Sequence, residues 1–275
     1  MRYEIALEKI VPALKKVNGV LSIFLKGSIA RGENDAYSDL DIYVMLESDV
    51  QVEEVYDSIV DALEQYQPLL FKELVEIICP QIVGIFEDML HIDCYIVHEH
   101  DYPQTDDIKV MYDPNGKLKE YDKKDLSITE EVFIDSALDS CWFIFQYDHI
   151  VGRGQYLWTT QMIDNALNHA IKVLLYKYYP EKAVLGKKAA HHLPADIYSK
   201  LNHINDCNNS IKHREAVAQY MNFYQDYIKD MVEEYWVEGF EKIYDYLYKK
   251  YAYIDTSHSD VTMTGVYIFT CEYNF

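Results

Sequence analysis

The chain has 275 residues, and its 46 acidic side chains against 25 Lys and Arg give a formal net charge of −21. Hydrophobic residues at 49% and aromatics at 14% exclude a disordered or low-complexity chain. The acidic excess argues against a protein that coats nucleic acid, because phosphate neutralisation needs clustered Lys and Arg. It favours cationic partners, or serves solubility alone. At this length about 75% of the unfolded chain's surface can be buried, so the fold needs no disulfide or metal staple. The five cysteines are widely spaced with no CxxC, which fits reduced thiols and a cytoplasmic location. The N-terminus alternates charged with apolar residues and lacks a signal-peptide core, and no stretch approaches 18 apolar residues.

In chain order, residues 3–18 place apolar side chains at helical spacing, with Pro12 either kinking the helix or marking its start. Val20 to Leu25 is a strand, broken by Gly27 and Ser28. Ile29 to Gly32 is one helical turn and 34–38 is a loop. Leu40 to Leu46 is a strand with Asp41 and Tyr43 on one face and Leu40, Ile42 and Val44 on the other. A helix follows over 52–66, then two strands, Glu73 to Phe86 with a possible bend at Pro80, and Leu90 to Val97. A fifth short strand, Ile108 to Tyr112, closes in the turn Asp113-Pro114-Asn115-Gly116.

Composition shifts after the charged linker 117–125. Helical periodicity then dominates over 130–149, 155–178 and 210–251, the last as two helices. The expectation is an α+β architecture: a small mixed sheet with flanking helices over 1–125, and an all-helical bundle over 126–275. Residues 256–275 return to β-rich composition, as a frayed tail or a docked strand.

One segment combines chemistry with position. Phe24-Leu25-Lys26-Gly27-Ser28-Ile29-Ala30-Arg31-Gly32 is followed by Asp39-Leu40-Asp41-Ile42-Tyr43. Gly27 allows close backbone approach to a ligand, and Ser28 offers a hydroxyl where a starting helix exposes N–H groups to phosphate oxygens. Asp39 and Asp41, two apart on a strand, share a face about 6.6 Å apart at Cα. Two like charges so close call for a cation, and hard oxygen ligands with room for substrate phosphates describe a Mg²⁺ site. A third acid flanked by apolar residues, Asp93 in Leu90-His91-Ile92-Asp93-Cys94-Tyr95-Ile96, completes the set, with Glu76 as the fallback.

This constellation resembles the nucleotidyltransferase superfamily typified by DNA polymerase β and kanamycin nucleotidyltransferase, including the Ala30-Arg31-Gly32 of its small members. The YDPNG turn and the helical second half are similar to bacterial enzymes that modify aminoglycosides or lincosamides. The resemblance implies that ATP, or another NTP, places its triphosphate on Gly27 and Ser28. It further implies that Mg²⁺ is held by Asp39, Asp41 and Asp93, and that an acceptor hydroxyl attacks the α-phosphorus with release of pyrophosphate. In that family the general base is either the third carboxylate, here Asp93, or an acid from the helical half. The corresponding helix here, Phe145-Gln146-Tyr147-Asp148-His149, offers Asp148 but no aligned Glu.

Lys187, in the Gly186-Lys187-Lys188 loop, is a candidate for the triphosphate or part of a solvated charge cluster. The tyrosines from Tyr235 to Tyr253 read as bundle packing, or as an aromatic cage for a cationic sugar. The expected partner is a small hydroxylated, cationic acceptor, with neither nucleic acid nor membrane, in a monomer or homodimer. Alternatives are nucleotidylation of a protein partner as in toxin–antitoxin systems, a tRNA-end polymerase, and a nucleotide-binding regulator without catalysis. The acidic charge opposes the polymerase, and three placed acids oppose the regulator.

Overall fold

Strands β1 (Val20–Leu25), β2 (Leu40–Leu46), β3 (Leu69–Glu76), β4 (Pro80–Phe86), β5 (His91–His98) and β6 (Lys109–Tyr112) form one sheet, in the order β3-β4-β5-β2-β1-β6. This is a computed structural model, and it describes residues 2–252. The central pair β2–β5 is parallel and every other pairing is antiparallel, so the sheet is mixed. Alternation along β2 sends Leu40, Ile42, Val44 and Leu46 to one face. There they pack with helices α1 (Arg2–Leu14) and α3 (Val52–Leu63) through Leu7, Ile10, Leu14, Val55, Ile59 and Leu63. The opposite face carries Phe24, Tyr43, Met45 and Val97, partly covered by Leu118, Tyr102 and Ile108. That second face also carries Asp41 and Asp93.

Two expectations in this half are corrected. Pro12 neither starts nor breaks α1; it lies in the last turn of a helix that begins at Arg2. There its missing N–H removes a single hydrogen bond. The stretch from Glu73 to Phe86 is a hairpin rather than one bent strand: β3 starts at Leu69, the chain turns over residues 77–79, and Pro80 opens β4 opposite Glu76. The first residue of a strand is a position where proline is tolerated. As the exposed outer strand, β3 lacks the half-buried alternation that marks a strand in sequence.

The chain divides into two units, Met1–Asp125 and Leu126–Phe275. In the second, α4 (Glu130–Val151) and α5 (Tyr156–Tyr178) form a long helical pair. They are followed by the short α6 (Ala189–His192), α7 (Ala195–Asp206), α8 (His213–Tyr227), the short α9 (Lys229–Val232) and α10 (Phe240–Tyr251). Thr129 caps α4, its Oγ1 accepting from the Val132 N–H at 3.2 Å. The polar helix α7 was not expected. It follows Pro194 and buries only Ile197, Leu201 and Ile204, a stripe too thin to stand out in sequence. Tyr147, Tyr220, Tyr224 and Tyr244 are fully buried, and each hydroxyl has a partner. Tyr147 meets His213 Nδ1 at 2.7 Å, Tyr220 donates to Ser140 O, Tyr224 to Ala137 O, and Tyr244 to Gln225. These phenols are structural, as buried tyrosines with satisfied hydroxyls are. The β-rich segment 256–275 lies outside the described residues.

Candidate active site

The site begins where β1 ends. Gly27 has φ +67°, a left-handed conformation that side chains disfavour, and a Cβ built there would stand 2.1 Å from Asp41 Oδ2. The glycine therefore serves a second purpose besides a turn: it leaves the space in which the Asp41 carboxylate lies against the β1–α2 connection. The helix that follows, α2 (Gly27–Arg31), has five residues and ends at Gly32. Ser28 is buried in its first turn, and its Oγ has no hydrogen-bond partner among the described residues. An orphaned buried hydroxyl is rare in a folded chain and marks a place where a polar group is expected.

Register brings the acids together. Asp41 on β2 and Asp93 on β5 are paired partners across the parallel ladder, so their side chains leave the same face of adjacent strands, which run about 4.8 Å apart. Asp39 lies one residue before β2. Its carboxylate, that of Asp93 and the His91 ring place ligand atoms within 4.8 Å of one another. Gln81 on β4 donates to Asp93 Oδ1 at 2.6 Å, and His91 Nε2 lies 3.4 Å from the same oxygen. Tyr95 lies next along the same face, where burial first, and then Asp41, Asp93, Cys79 and Asp39, push its phenol far above the usual range. Tyr95 stacks on Tyr43 at 4.4 Å between centroids, and Tyr43 on Phe24 at 5.0 Å, so an aromatic floor adjoins the acids.

A buried lysine flanks this floor. Lys26 is 6% exposed, its Nζ donates to Pro103 O at 2.8 Å and it lies 5.2 Å from the Tyr43 ring centroid. Burial lowers its affinity for a proton, partly offset by Asp106, Cys79 and Asp41. Arg31 pairs with Glu33 at 2.8 Å and with Asp106, tying α2 to the segment before β6.

The structure thus brings Gly27, Ser28, Asp39, Asp41 and Asp93 to one end of one sheet face. Glu76 ends the outer strand β3, exposed, with β4 and β5 between it and β2, so it does not join them. Lys187 belongs to the second unit, exposed in the turn Gly186–Lys188, beside a cavity of about 400 Å³ lined also by Asp164, Asn168 and Asn205. Asp148 accepts hydrogen bonds from Tyr246 at 2.8 Å, from Lys250 at 2.6 Å and from Tyr251. Burial opposes its ionisation, but hydrogen bonds from Lys250, Tyr251 and Tyr246 outweigh burial and hold the carboxyl below its ordinary range. A carboxylate so saturated with donors is a poor general base.

Lys26, Gln81 and His91 were not singled out in the sequence. His91 and Asp93 alternate onto one strand face, a pattern that sequence does show; Gln81 needed the β4–β5 register, and Lys26 needed its burial. Asp39, His91 and Asp93 bring ligand atoms close enough to hold a divalent cation, with Asp41 on the same face of the adjoining strand, and the unpartnered Ser28 hydroxyl suits a phosphate group.

Residues 7–134 match the family described as the nucleotidyltransferase domain. Comparison with curated proteins finds no match. Among solved structures, an aminoglycoside 6-adenyltransferase from Bacillus subtilis is similar at 13% identity, with 90% of this chain and 98% of that chain covered and a TM-score of 0.38. A c-UMP-AMP synthase from Rhodothermus marinus is similar at 13% identity, with 94% of each chain covered and a TM-score of 0.31. A GLD-2/RNP-8 complex is similar at 13% identity, with 90% of each chain covered and a TM-score of 0.29. Among the described residues, no helix is long and apolar enough to cross a membrane.

Proposed function

We propose that the chain, whose residues 7–134 match the nucleotidyltransferase domain, transfers AMP from ATP to a hydroxyl of a small acceptor, releasing pyrophosphate. The observation that carries this reading is the meeting of Gly27 and Ser28 at the end of β1 with Asp41 and Asp93, side by side on β2 and β5. Asp39, Asp41 and Asp93 would hold Mg²⁺, which when bound stabilises charge on the phosphoryl oxygens of an in-line displacement. The chain's own groups do the rest. The Ser28 hydroxyl donates to a phosphate oxygen, and Gly27 leaves room for the Asp41 carboxylate to stand against the turn that carries Ser28. Asp93, oriented by Gln81, takes the proton of the acceptor hydroxyl. The acceptor oxygen bonds to the α-phosphorus, the bond from that phosphorus to the bridging oxygen breaks, and pyrophosphate departs.

The acceptor we propose is small, hydroxylated and cationic, of the aminoglycoside or lincosamide class, with drug inactivation as the consequence. The net charge of −21 supports a cationic acceptor over a polyanionic one. The test is pyrophosphate release from MgATP across a panel of such compounds. Asp39→Asn and Asp41→Asn should each abolish release while far-UV circular dichroism stays unchanged. Without metal, their Tm should stay level or rise slightly, since each removes one of several clustered negative charges. Release within about threefold of the unsubstituted protein in either variant would overturn the assignment.

A further inference from the structure

The second unit gathers three metal-ligating side chains of different chemistry at one point. His203, in the last turn of α7, and Cys207, four residues on at its C-cap, share a helix face. Glu215, in the first turn of α8, meets them, and the ligand atoms of all three lie within 4.8 Å of one another. Each residue alone has a local explanation. Histidine suits a helix C-terminus and glutamate a helix N-terminus, and a buried thiol fills space as a small hydrophobe. A thiol-to-carboxylate hydrogen bond accounts for Cys207 beside Glu215, but neither it nor these local uses brings the His203 ring to the same point.

A fourth residue supports convergence with a purpose. Gln219, one turn beyond Glu215, donates its amide to Glu215 Oε1 at 3.2 Å and to Cys207 Sγ at 3.8 Å. One side chain therefore orients two of the three candidate ligands, as outer-layer partners of metal sites do. Its own Oε1 is buried with no hydrogen-bond partner among the described residues.

We propose that His203, Cys207 and Glu215 form a binding site for a transition-metal cation of the Zn²⁺ type. Imidazole, thiolate and carboxylate together select such an ion over Mg²⁺, which prefers oxygen alone. With bonds of about 2.0–2.3 Å, tetrahedral ligand atoms sit about 3.5 Å apart, so side-chain shifts of about an ångström close the triad on the ion. Binding displaces the Cys207 thiol proton to solvent and leaves a tetrahedral ion one position for water or a further ligand. His203 and Gln219 also line a cavity of about 460 Å³ with Asn222, Asp226 and Tyr227, which gives such a ligand space. The site is separate in chemistry from the oxygen-rich cluster of the first unit, which has no thiol among its ligand candidates.

That difference makes the test specific. Co²⁺ is titrated into the full chain under a non-thiol reductant, and thiolate-to-cobalt charge transfer is followed by near-ultraviolet absorbance. One thiolate-ligated Co²⁺ per chain is expected, displaced by Zn²⁺. Cys207→Ser should remove the band. His203→Ala and Glu215→Gln should each weaken binding by roughly 100-fold, the upper end of what losing even an outer-layer partner costs. Asp93→Asn should leave the band unchanged, because the first-unit cluster offers only oxygen and imidazole. Far-UV circular dichroism checks that each variant folds, and the two substitutions outside the thiol keep the test valid should Cys207→Ser unfold. Absence of the band in the unsubstituted protein, its survival in a folded Cys207→Ser variant, or binding indifferent to both His203→Ala and Glu215→Gln would overturn the proposal.

Discussion

Asp93 on the sheet of the first unit and Asp148 on α4 of the second are both carboxylates set among tyrosines, yet their surroundings answer the charge differently. Asp148 is ringed by donors: two phenols and an ammonium from α10 close on it, and its negative charge holds two helices together. Asp93 has one amide from Gln81 and a nearby imidazole, while its close neighbours Asp39 and Asp41 add negative charge rather than neutralising it. The first arrangement is complete within the chain. The second is an electronegative cluster near the end of β1, where the Ser28 hydroxyl has no hydrogen-bond partner among the described residues. A charged residue near a plausible site is thus weighed by what its neighbours leave undone, and by that standard Asp93 is the catalytic candidate and Asp148 a structural one.

The substitution expected to disturb the first region most is Gly27→Ala. Its Cβ would meet Asp41 Oδ2 at 2.1 Å on a backbone of positive φ, so Asp41 must move. Nucleotide transfer should fall by at least about 100-fold, as small displacements of a reacting geometry do. Folding should lose about 1–2 kcal/mol from the left-handed strain, read by urea denaturation. Near-normal transfer would mean that the Asp41 position is not critical.

In the second region, Asp148→Ala should destabilise the chain by about 2 kcal/mol, since three donors lose a charged acceptor. The Lys250 arm is partly exposed and contributes little of this. The sign of the pH dependence follows from a carboxyl held below its ordinary range in the folded state. Its stabilisation is fully present above about pH 4, where the unfolded carboxyl is ionised, and is lost as pH falls through the lower folded value. Thermal melts from pH 7 to pH 3 should therefore show a shallower decline in Asp148→Asn than in the unsubstituted protein. An identical decline would remove the seam from the account.

The smallest effect expected is that of Thr129→Ala. Losing the hydrogen bond to the Val132 N–H should lower stability by about 1 kcal/mol, measured by chemical denaturation, with transfer unchanged.

The contrast also separates what was legible in the chain from what was not. Gly27, Ser28, Asp39 and Asp41 fall within one short segment whose strand–turn–strand pattern is local, so their grouping could be read from spacing. Asp93 was reachable as an acid amid apolar strand residues, but its place directly beside Asp41 depends on a parallel pairing between segments some 50 residues apart in sequence. Gln81 and Lys26 are harder still, because a glutamine or lysine becomes significant only once burial and register are fixed. The outer strand β3 and the thin stripe of α7 were missed or shortened because exposure removes the periodicity that burial imposes. Asp148 could be noticed from its helix, whereas its three donors come from α10, about 100 residues later.

The most direct test compares Asp93→Asn with Asp148→Asn in single-turnover transfer from MgATP, with MgATP affinity measured alongside. Asp93→Asn should abolish turnover while largely sparing MgATP binding, which Asp39 and Asp41 can still support. Asp148→Asn should transfer at close to the rate of the unsubstituted protein wherever it remains folded. Near-normal transfer in the first variant, or a comparable collapse in a folded second variant, would contradict the assignment of the chemistry to the sheet of the first unit.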